Sequence, residues 1–117
     1  MNEGADIAAI TRTLLAYCRC VDEGRLDEFA ALYAEDGVHD DGRSRRAGRA
    51  EIRKMVEAVV ARYESTSHHA SNIEVEIIDS ANARAHSYIY AWHRRTGAPD
   101  LEVWGRYEDR LVLREGR

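Results

Sequence analysis

The hydrophobic period of the chain changes near residue 67, and this change constrains the fold more than any other feature. Before it, apolar side chains recur every three or four residues and predict helices over 5–22 and about 49–63. After it, apolar and polar residues alternate and predict strands over 67–77, 81–94 and 101–113. Helices that precede antiparallel strands predict an α+β fold, with the helices packed on one face of a curved sheet.

The segment between the two long helices is predicted to hold a short helix and a short strand. The helix places Leu26, Phe29 and Tyr33 on one face and ends before Gly37. The strand runs from Val38 to Asp41. The arginine-rich segment DGRSRRAGR then forms a loop, which either is solvated or attracts an anion to the mouth of a pocket.

Length and charge limit what the chain can do. Its 117 residues fit one domain, 1–117, and leave no room for a second core. The net charge of −4 provides no positive field for a phosphate backbone, so we expect no nucleic acid partner. No apolar run approaches the roughly 20 residues that a membrane span needs, and the N-terminus lacks the layout of a signal peptide. We therefore expect a soluble cytoplasmic protein without a membrane partner.

The two cysteines, Cys18 and Cys20, lie in the first predicted helix. Residues two apart on a helix point to different sides, so these thiols cannot bridge each other. We interpret them as small buried apolar side chains rather than as a redox or zinc pair.

The strand over 81–94 has one small and one bulky face. The small face carries Ala83, Ala85, Ser87, Ala91 and His93. Such a face cannot fill the space beneath three helices, so a hollow for a small hydrophobic molecule is expected there. The bulky face carries Tyr88, Tyr90 and Trp92, and the next strand adds Trp104. We expect a second copy of the chain to cover these aromatics, which makes the protein a homodimer.

Three polar residues are candidates for chemistry because of where they fall in the pattern. His93 ends the small face, either as a pocket residue or as an imidazole that is hydrogen-bonded to Asp109 for structural reasons. Asp109 lies among apolar residues, where burial raises the pKa of a carboxyl and makes it usable near neutrality. Asp41 is either a second such carboxylate or a turn residue before Gly42.

Two adjacent histidines compete for the inner face of the first long strand. Strict alternation groups His69 with Ile73 and Val75 and places His68 on the opposite side. A bulge near Ala70 would reverse this and turn His68 inward. Both histidines therefore remain candidates, His68 first.

A resemblance to the SnoaL-like branch of the nuclear transport factor 2-like superfamily is carried by four segments in order: YCRCVDEGRLDEFAALYAEDGVHDDG, AGRAEIRKMV, TSHHASNIEVEI and WGRYEDRLVLREGR. It implies a cystatin-like cone of three helices closed by a curved, mostly antiparallel sheet. Such sheets finish with a further strand after a turn like REGR, whereas this sequence stops at Arg117. Without that further strand, Leu101–Leu113 would form an unpaired edge.

The polar positions are similar to those of the branch's scytalone dehydratases and hexachlorocyclohexane dehydrochlorinases. Both enzyme groups eliminate through an Asp and a His without a cofactor, and the resemblance places these residues at Asp22 and His68. The dehydratase resemblance adds His93, but its two tyrosines that hold water fall on Val21 and Asp41. That part of the dehydratase site is therefore absent.

The resemblance thus implies a cofactor-independent lyase or isomerase. Asp22 would orient the base His68, and His93 would assist on a small apolar cyclic substrate. Ketosteroid isomerases, which the chain resembles more distantly, carry a helix-borne tyrosine near the position of Tyr17. Tyr17 and Tyr107 either donate hydrogen bonds to the substrate or are core tyrosines. Asp41, His69 and Asp109 complete the predicted substrate-binding set.

Two other interpretations remain open. His68, His93 and Asp22 have the composition of a two-histidine, one-carboxylate metal site, but no pair has a diagnostic spacing, so we expect no metal. The same fold also serves as a non-catalytic module that binds a hydrophobic ligand or only dimerises.

Overall fold

A computed structural model describes residues 3–113. Its elements follow in the order α1 Glu3–Glu23, α2 Leu26–Ala31, β1 Val38–Asp40, β2 Arg45–Ala47, α3 Arg49–Arg62, β3 Ser65–Ile77, β4 Asn82–Arg94 and β5 Leu101–Val112. The α+β order predicted from the hydrophobic period is confirmed. Within residues 3–113, no helix has both the length and the apolar character that crossing a membrane requires.

The end of α1 is fixed by a glycine. Gly24 has φ +69° and opens a left-handed turn in which the Arg25 N–H bonds the Cys20 carbonyl at 2.8 Å and the Gly24 N–H bonds the Val21 carbonyl at 3.2 Å. This pair of bonds is a Schellman motif, which ends a helix at a defined residue. The motif therefore sets the position of Asp22 in the last turn of α1.

The core lies among the three helices. Cys20, Val21, Phe29, Ile52 and Val56 pack into one buried cluster. Ile52 is 0% exposed and Phe29 1%, so these two side chains lie at its centre. Cys18 and Cys20 are buried free thiols, as predicted.

The strands form two separate sheets rather than the single curved sheet that we predicted. β3, β4 and β5 form an antiparallel sheet in that order, while β1 pairs only with β2. Within the described residues, β5 has a strand partner on one side only, which agrees with the expected unpaired edge. The sheet is therefore not closed around the helices.

The β1–β2 hairpin corrects two predictions. Arg45–Ala47 is a strand and not part of a loop, and β1 ends at Asp40 rather than Asp41. Asp41 lies in the turn, where its Oδ1 accepts the N–H groups of Arg43 and Ser44, both at 2.9 Å. The hydrogen bonds of Asp41 stabilise the turn that forms this hairpin. β2 has no apolar alternation, so its sequence did not predict a strand.

The two faces of β4 differ as predicted. Its small side chains and His93 are buried and face the helices; Ala85 is 3% exposed and Ser87 is 1% exposed. The aromatic side chains point to the opposite face, which we call the outer face of the sheet. The inner face therefore carries the candidate site.

Candidate functional site

Asp22 and His68 meet where the last turn of α1 crosses the start of β3. Asp22 Oδ1 lies 2.7 Å from His68 Nδ1. The His68 side chain is 9% exposed and that of Asp22 is 24% exposed, so the contact is shielded from bulk water. The structure thus brings together the two residues that the resemblance paired.

Asp22 also accepts hydrogen bonds from two other donors. The backbone N–H of His68 lies 2.9 Å from Oδ2 and 3.1 Å from Oδ1, and the Thr66 hydroxyl donates to Oδ1 at 2.9 Å. A carboxylate that accepts from an imidazole fixes which ring nitrogen carries the proton. Nδ1–H of His68 therefore points at Asp22, and the lone pair lies on Nε2.

A β-bulge decides which of the two histidines faces inward. The pairing of β3 with β4 shifts by one residue between Ser71 and Glu74, and Asn72 in the bulge has φ +51°. His68 lies opposite Ala91 and therefore shares the inner face with it, while Ile73 and Val75 return to that face beyond the bulge.

His69 consequently lies on the outer face, at the border of a groove that Asp22 and His68 also line. Its ring stacks on Tyr90 with 5.6 Å between centroids, and its Nε2 lies 2.8 Å from the Ser67 hydroxyl. The bulge lies just after Ala70, close to the position at which a bulge was needed to turn His68 inward.

His93 lies beside His68 on the inner face. The two ring centroids are 5.6 Å apart, and Tyr63 covers the other side of His93 at 4.5 Å. Burial, with a smaller contribution from the neighbouring His68, lowers the pKa of His93 below 6.5. At neutral pH His93 is therefore an uncharged imidazole.

The partner of His93 is a backbone carbonyl and not Asp109, which corrects the structural alternative considered above. Nδ1 lies 3.3 Å from the Leu101 carbonyl, so Nδ1 carries the proton and Nε2 the lone pair. Asp109 lies opposite Ala85, eight residues along β4 from His93. The pairing register places the two side chains too far apart for a hydrogen bond.

Both Nε2 atoms are open to solvent. Within residues 3–113, neither Nε2 atom has a hydrogen-bond partner. Every fully buried side-chain nitrogen or oxygen in these residues does have a partner, so the two Nε2 atoms are not fully buried. The Nε2 atoms of His68 and His93 are therefore both reachable by water.

An open groove of about 480 Å³ lies next to the pair. Its walls include Leu15, Cys18, Asp22 and His68. It runs along α1 and the edge of β3, rather than beneath the small face of β4 where we expected the hollow. In the groove, the Cys18 thiol is held protonated, because burial and the nearby Asp22 raise its pKa to about 11.

A second polar cluster occupies the far end of the inner face. The Tyr17 and Tyr107 hydroxyls lie 3.3 Å apart, with ring centroids 5.6 Å apart. The Tyr33 hydroxyl lies 2.9 Å from Nδ1 of His39. Burial raises the pKa of Tyr17 and of Tyr107, so both hydroxyls keep their protons and can donate hydrogen bonds.

Asp109 belongs to this second cluster. Asp109 follows Tyr107 on the inner face of β5. Burial raises the pKa of Tyr33, and the charge of Asp109 raises it further. Burial, and to a smaller extent Glu108, raises the pKa of Asp109 itself. Asp41 lies at the border of this cluster: its carboxylate is exposed, its backbone hydrogen bonds in the turn lower its own pKa, and its charge contributes to the raised pKa of Tyr107.

Sequence reasoning missed three residues that contact the site. Thr66 is hydrogen-bonded to Asp22, Tyr63 stacks on His93, and His39 contacts Tyr33. For Thr66 a signal was available, because it shares the alternation of His68 and lies two residues before it. The place of Tyr63 depends on how α3 meets the sheet, and local patterns do not encode it.

The geometry of metal ligation is not present within residues 3–113. No group of three or more His, Cys, Asp or Glu side chains there is arranged so that it could hold a metal ion. In particular, Asp22, His68 and His93 do not form such a group.

Comparisons with known proteins place this architecture in a family. The SnoaL-like domain family profile matches residues 2–117, while no curated protein sequence matches the chain. A provisionally assigned scytalone dehydratase from Novosphingobium aromaticivorans DSM 12444 has a similar structure, with a TM-score of 0.90 and 30% sequence identity. That match covers 97% of this chain and 77% of the other.

Two more solved structures share the fold at lower identity. A protein of unknown function from Mycobacterium tuberculosis matches with a TM-score of 0.90 and 22% identity, over 98% of this chain and 71% of its own. A hexachlorocyclohexane dehydrochlorinase from Novosphingobium barchaimii LL02 matches with a TM-score of 0.86 and 18% identity, over 97% and 80%. The chain therefore belongs to the SnoaL-like domain family of the nuclear transport factor 2-like superfamily.

Proposed function

We propose that the protein is a cofactor-independent lyase or isomerase in which His68 removes a proton from carbon. The single observation that carries this proposal is the 2.7 Å contact between Asp22 Oδ1 and His68 Nδ1, which leaves Nε2 of His68 unpartnered and open to water. A carboxylate behind an imidazole stabilises the imidazolium that forms when Nε2 takes a proton.

The elimination begins at a carbon next to an activating group. Nε2 of His68 takes the proton, and the electron pair of the broken C–H bond forms a carbon–carbon double bond. The bond to the leaving group on the neighbouring carbon breaks, and the leaving group departs with its electron pair. A departing hydroxide takes up the proton that His68 received and leaves as water, whereas a halide leaves as the anion. In an isomerase, the same proton returns to a different carbon.

His93 positions the leaving group in this account. Its Nδ1–H is engaged by the Leu101 carbonyl, so its Nε2 accepts a hydrogen bond from a substrate hydroxyl. The 5.6 Å between the His68 and His93 rings allows one substrate to touch both. Tyr107, paired with Tyr17, donates a hydrogen bond to a substrate oxygen that extends toward the second cluster.

The surroundings favour a small, largely apolar cyclic substrate. The inner face beside His68 and His93 consists of alanines and aromatic rings, including Ala91 and Tyr63. Such walls bind a flat or cyclic carbon skeleton. The names of two structural neighbours, a scytalone dehydratase and a hexachlorocyclohexane dehydrochlorinase, describe eliminations, which supports the same reaction class.

A non-catalytic ligand-binding module is the second candidate, and one observation favours it. Asp22 accepts hydrogen bonds from the Thr66 hydroxyl and the His68 backbone as well as from the imidazole, so it also ties the end of α1 to β3. A carboxylate with this role stabilises the fold without catalysis.

A turnover assay on a defined panel separates the two. Small cyclic β-hydroxy ketones and chlorinated cyclohexanes are incubated with the protein, and enone absorbance and released chloride are recorded. The proposal predicts turnover of at least one compound, with a loss of about a hundredfold or more in the His68→Ala variant. Saturable binding without turnover would support the binding module, and turnover that survives His68→Ala would contradict the assignment of the base.

A further inference from the structure

A third side chain, that of Thr66, is hydrogen-bonded to the Asp22–His68 pair. Its hydroxyl donates to Asp22 Oδ1 at 2.9 Å, and the same oxygen lies 2.7 Å from Nδ1 of His68. Thr66 lies two residues before His68 on β3 and opposite His93 on β4, so it shares the inner face with both histidines. The hydroxyl therefore acts on the oxygen that holds the imidazole.

Asp22 needs a restraint that His68 alone does not provide. The backbone N–H of His68 lies 2.9 Å from Oδ2, so the imidazole contact and this one both depend on a single residue. The terminal torsion of an aspartate is broad, and the Asp22 side chain is 24% exposed, so water competes for its oxygens. A threonine is stiff at χ1, which holds the hydroxyl of Thr66 in place as a donor from a second residue.

Thr66 is bonded to the main charge that faces His68. The titratable side chains around His68 come from α1, β3 and β4; they are Cys18, Arg19, Asp22, Glu23, His69 and His93. At neutral pH the thiol of Cys18 and the ring of His93 are uncharged, because burial raises the pKa of the first and lowers the pKa of the second. The arginine and the glutamate are paired with each other at 2.6 Å, and His69 lies on the outer face. The charge that His68 meets is therefore chiefly that of Asp22.

We propose that Thr66 is a positioning residue for proton abstraction, because its hydroxyl fixes Asp22 Oδ1 against Nδ1 of His68. With Oδ1 fixed, Nδ1 keeps its proton and Nε2 keeps the lone pair that takes a proton from the substrate. The hydroxyl also stabilises the negative charge of Asp22, so the carboxylate stays ionised when the ring becomes an imidazolium. The effect on catalysis rests on the proposed function, whereas the effect on the tautomer of His68 does not.

Nitrogen-15 NMR of the histidine rings tests the positioning without a substrate. At a pH where the ring is uncharged, the shifts of Nδ1 and Nε2 show which nitrogen of His68 carries the proton, and His68→Ala identifies the signals. We expect only the Nδ1–H form in the wild type and in Thr66→Ser, which keeps the hydroxyl. Thr66→Val keeps the shape but loses the donor, so at least about a tenth of its His68 rings should carry the proton on Nε2.

Steady-state kinetics with an accepted substrate test the consequence for catalysis. Loss of a hydrogen bond to a charged group should lower kcat about ten- to a hundredfold in Thr66→Val and change KM less than about threefold, and Thr66→Ser should recover most of kcat. Thr13→Val makes the same replacement on an exposed part of α1, where the hydroxyl bonds the Ala9 carbonyl at 3.1 Å. This control should leave kcat, KM and the His68 tautomer unchanged.

The outcomes distinguish this proposal from the proposed function. A Thr66→Val protein that is folded by circular dichroism and keeps only the Nδ1–H form of His68 would overturn the proposal, and so would one with the wild-type kcat. If Thr66→Val does not fold, Thr66→Ala, which also lacks the hydroxyl, takes its place. A shifted tautomer in a protein that turns over no substrate would contradict the proposed function but support the positioning of His68 by Thr66.

Discussion

The ring of His68 stands nearly perpendicular to the ring of His93, with an interplanar angle of 82° and 5.6 Å between centroids. Each ring uses Nδ1 for a fixed partner, a carboxylate for His68 and a backbone carbonyl for His93. Two imidazolium ions at this distance would repel each other, and a charge on His68 lowers the pKa of His93. His68 therefore adds to burial in keeping the ring of His93 uncharged.

Replacing Asp22 by Asn is expected to damage turnover more than substrate binding. The amide removes the charge that stabilises the His68 imidazolium, and its NH₂ group favours the wrong tautomer of the ring. We expect kcat to fall about 10² to 10⁴-fold, because the same Asp→Asn replacement behind the catalytic histidine of serine proteases has an effect of about this size. The change in KM should stay within a few-fold, and steady-state kinetics on any accepted substrate measure both.

Asp41→Asn is the matched control for that experiment. It makes the same chemical change in an exposed carboxylate whose hydrogen bonds are to the backbone of the β1–β2 turn. An asparagine accepts the same backbone hydrogen bonds, so turnover should be unchanged. Equal losses in both variants would mean that Asp22 acts only through the fold.

His93 makes stability dependent on pH. Its pKa is lower in the folded protein than the ordinary 6.5, chiefly because burial disfavours the charged ring. Below pH 6.5 the unfolded chain therefore binds a proton at His93 more readily than the folded chain does. The contribution of the neutral His93 to the free energy of unfolding is complete above pH 6.5 and is lost as pH falls through the folded pKa. Urea unfolding at pH 7.5 and at pH 5.5 measures the loss, which should shrink in His93→Phe and persist in His69→Phe.

The bulge in β3 depends on Asn72. Its φ of +51° lies in the left-handed region, which asparagine tolerates and β-branched residues do not. We expect Asn72→Val to lower the free energy of unfolding by about 1 to 3 kcal/mol, whereas Asn72→Gly should be close to neutral. Urea unfolding compares the two, with Ser71→Val as a control at an ordinary strand position. A Val variant as stable as the Gly variant would contradict the bulge.

The inner and outer faces of the sheet and the positions of the helices could be predicted from local sequence patterns. For β4, side-chain size alone separated the buried Ala85 and Ser87 from the outer Tyr88, and the structure agrees. Spacing also gave the helices, because their buried residues repeat at the helical period. These features are local, so a single sequence is sufficient for them.

Features that depend on distant or irregular contacts were harder to predict. Strict alternation chose His69, and only an irregularity at Asn72, invisible in hydrophobic periodicity, turns His68 inward. The hairpin strand Arg45–Ala47 has no apolar pattern and exists because the turn at Asp41 folds it back on β1. The pairing of Asp22 with His68 joins residues 46 positions apart, and the family resemblance rather than local pattern indicated it.

Packing at the helix core provides a test that is independent of the site. Ile52 is 0% exposed in the cluster around Phe29, while Ile78 is 42% exposed. Ile52→Ala removes buried methyl groups and leaves a cavity, so it should cost about 2 to 5 kcal/mol of unfolding free energy. Ile78→Ala makes the same change near the surface and should cost less than about 1 kcal/mol. Denaturant unfolding of both variants measures the difference, and equal costs would contradict this core.

The proton-abstracting role of His68 is tested most directly by comparing it with its neighbour. With one accepted substrate, kcat is measured for the wild type, His68→Ala and His69→Ala. Because only the ring of His68 faces inward with Asp22 behind it, we predict a loss of about a hundredfold or more in His68→Ala and a change of less than about twofold in His69→Ala. A His68→Ala variant that retains turnover, or a His69→Ala variant that loses it, would contradict the account.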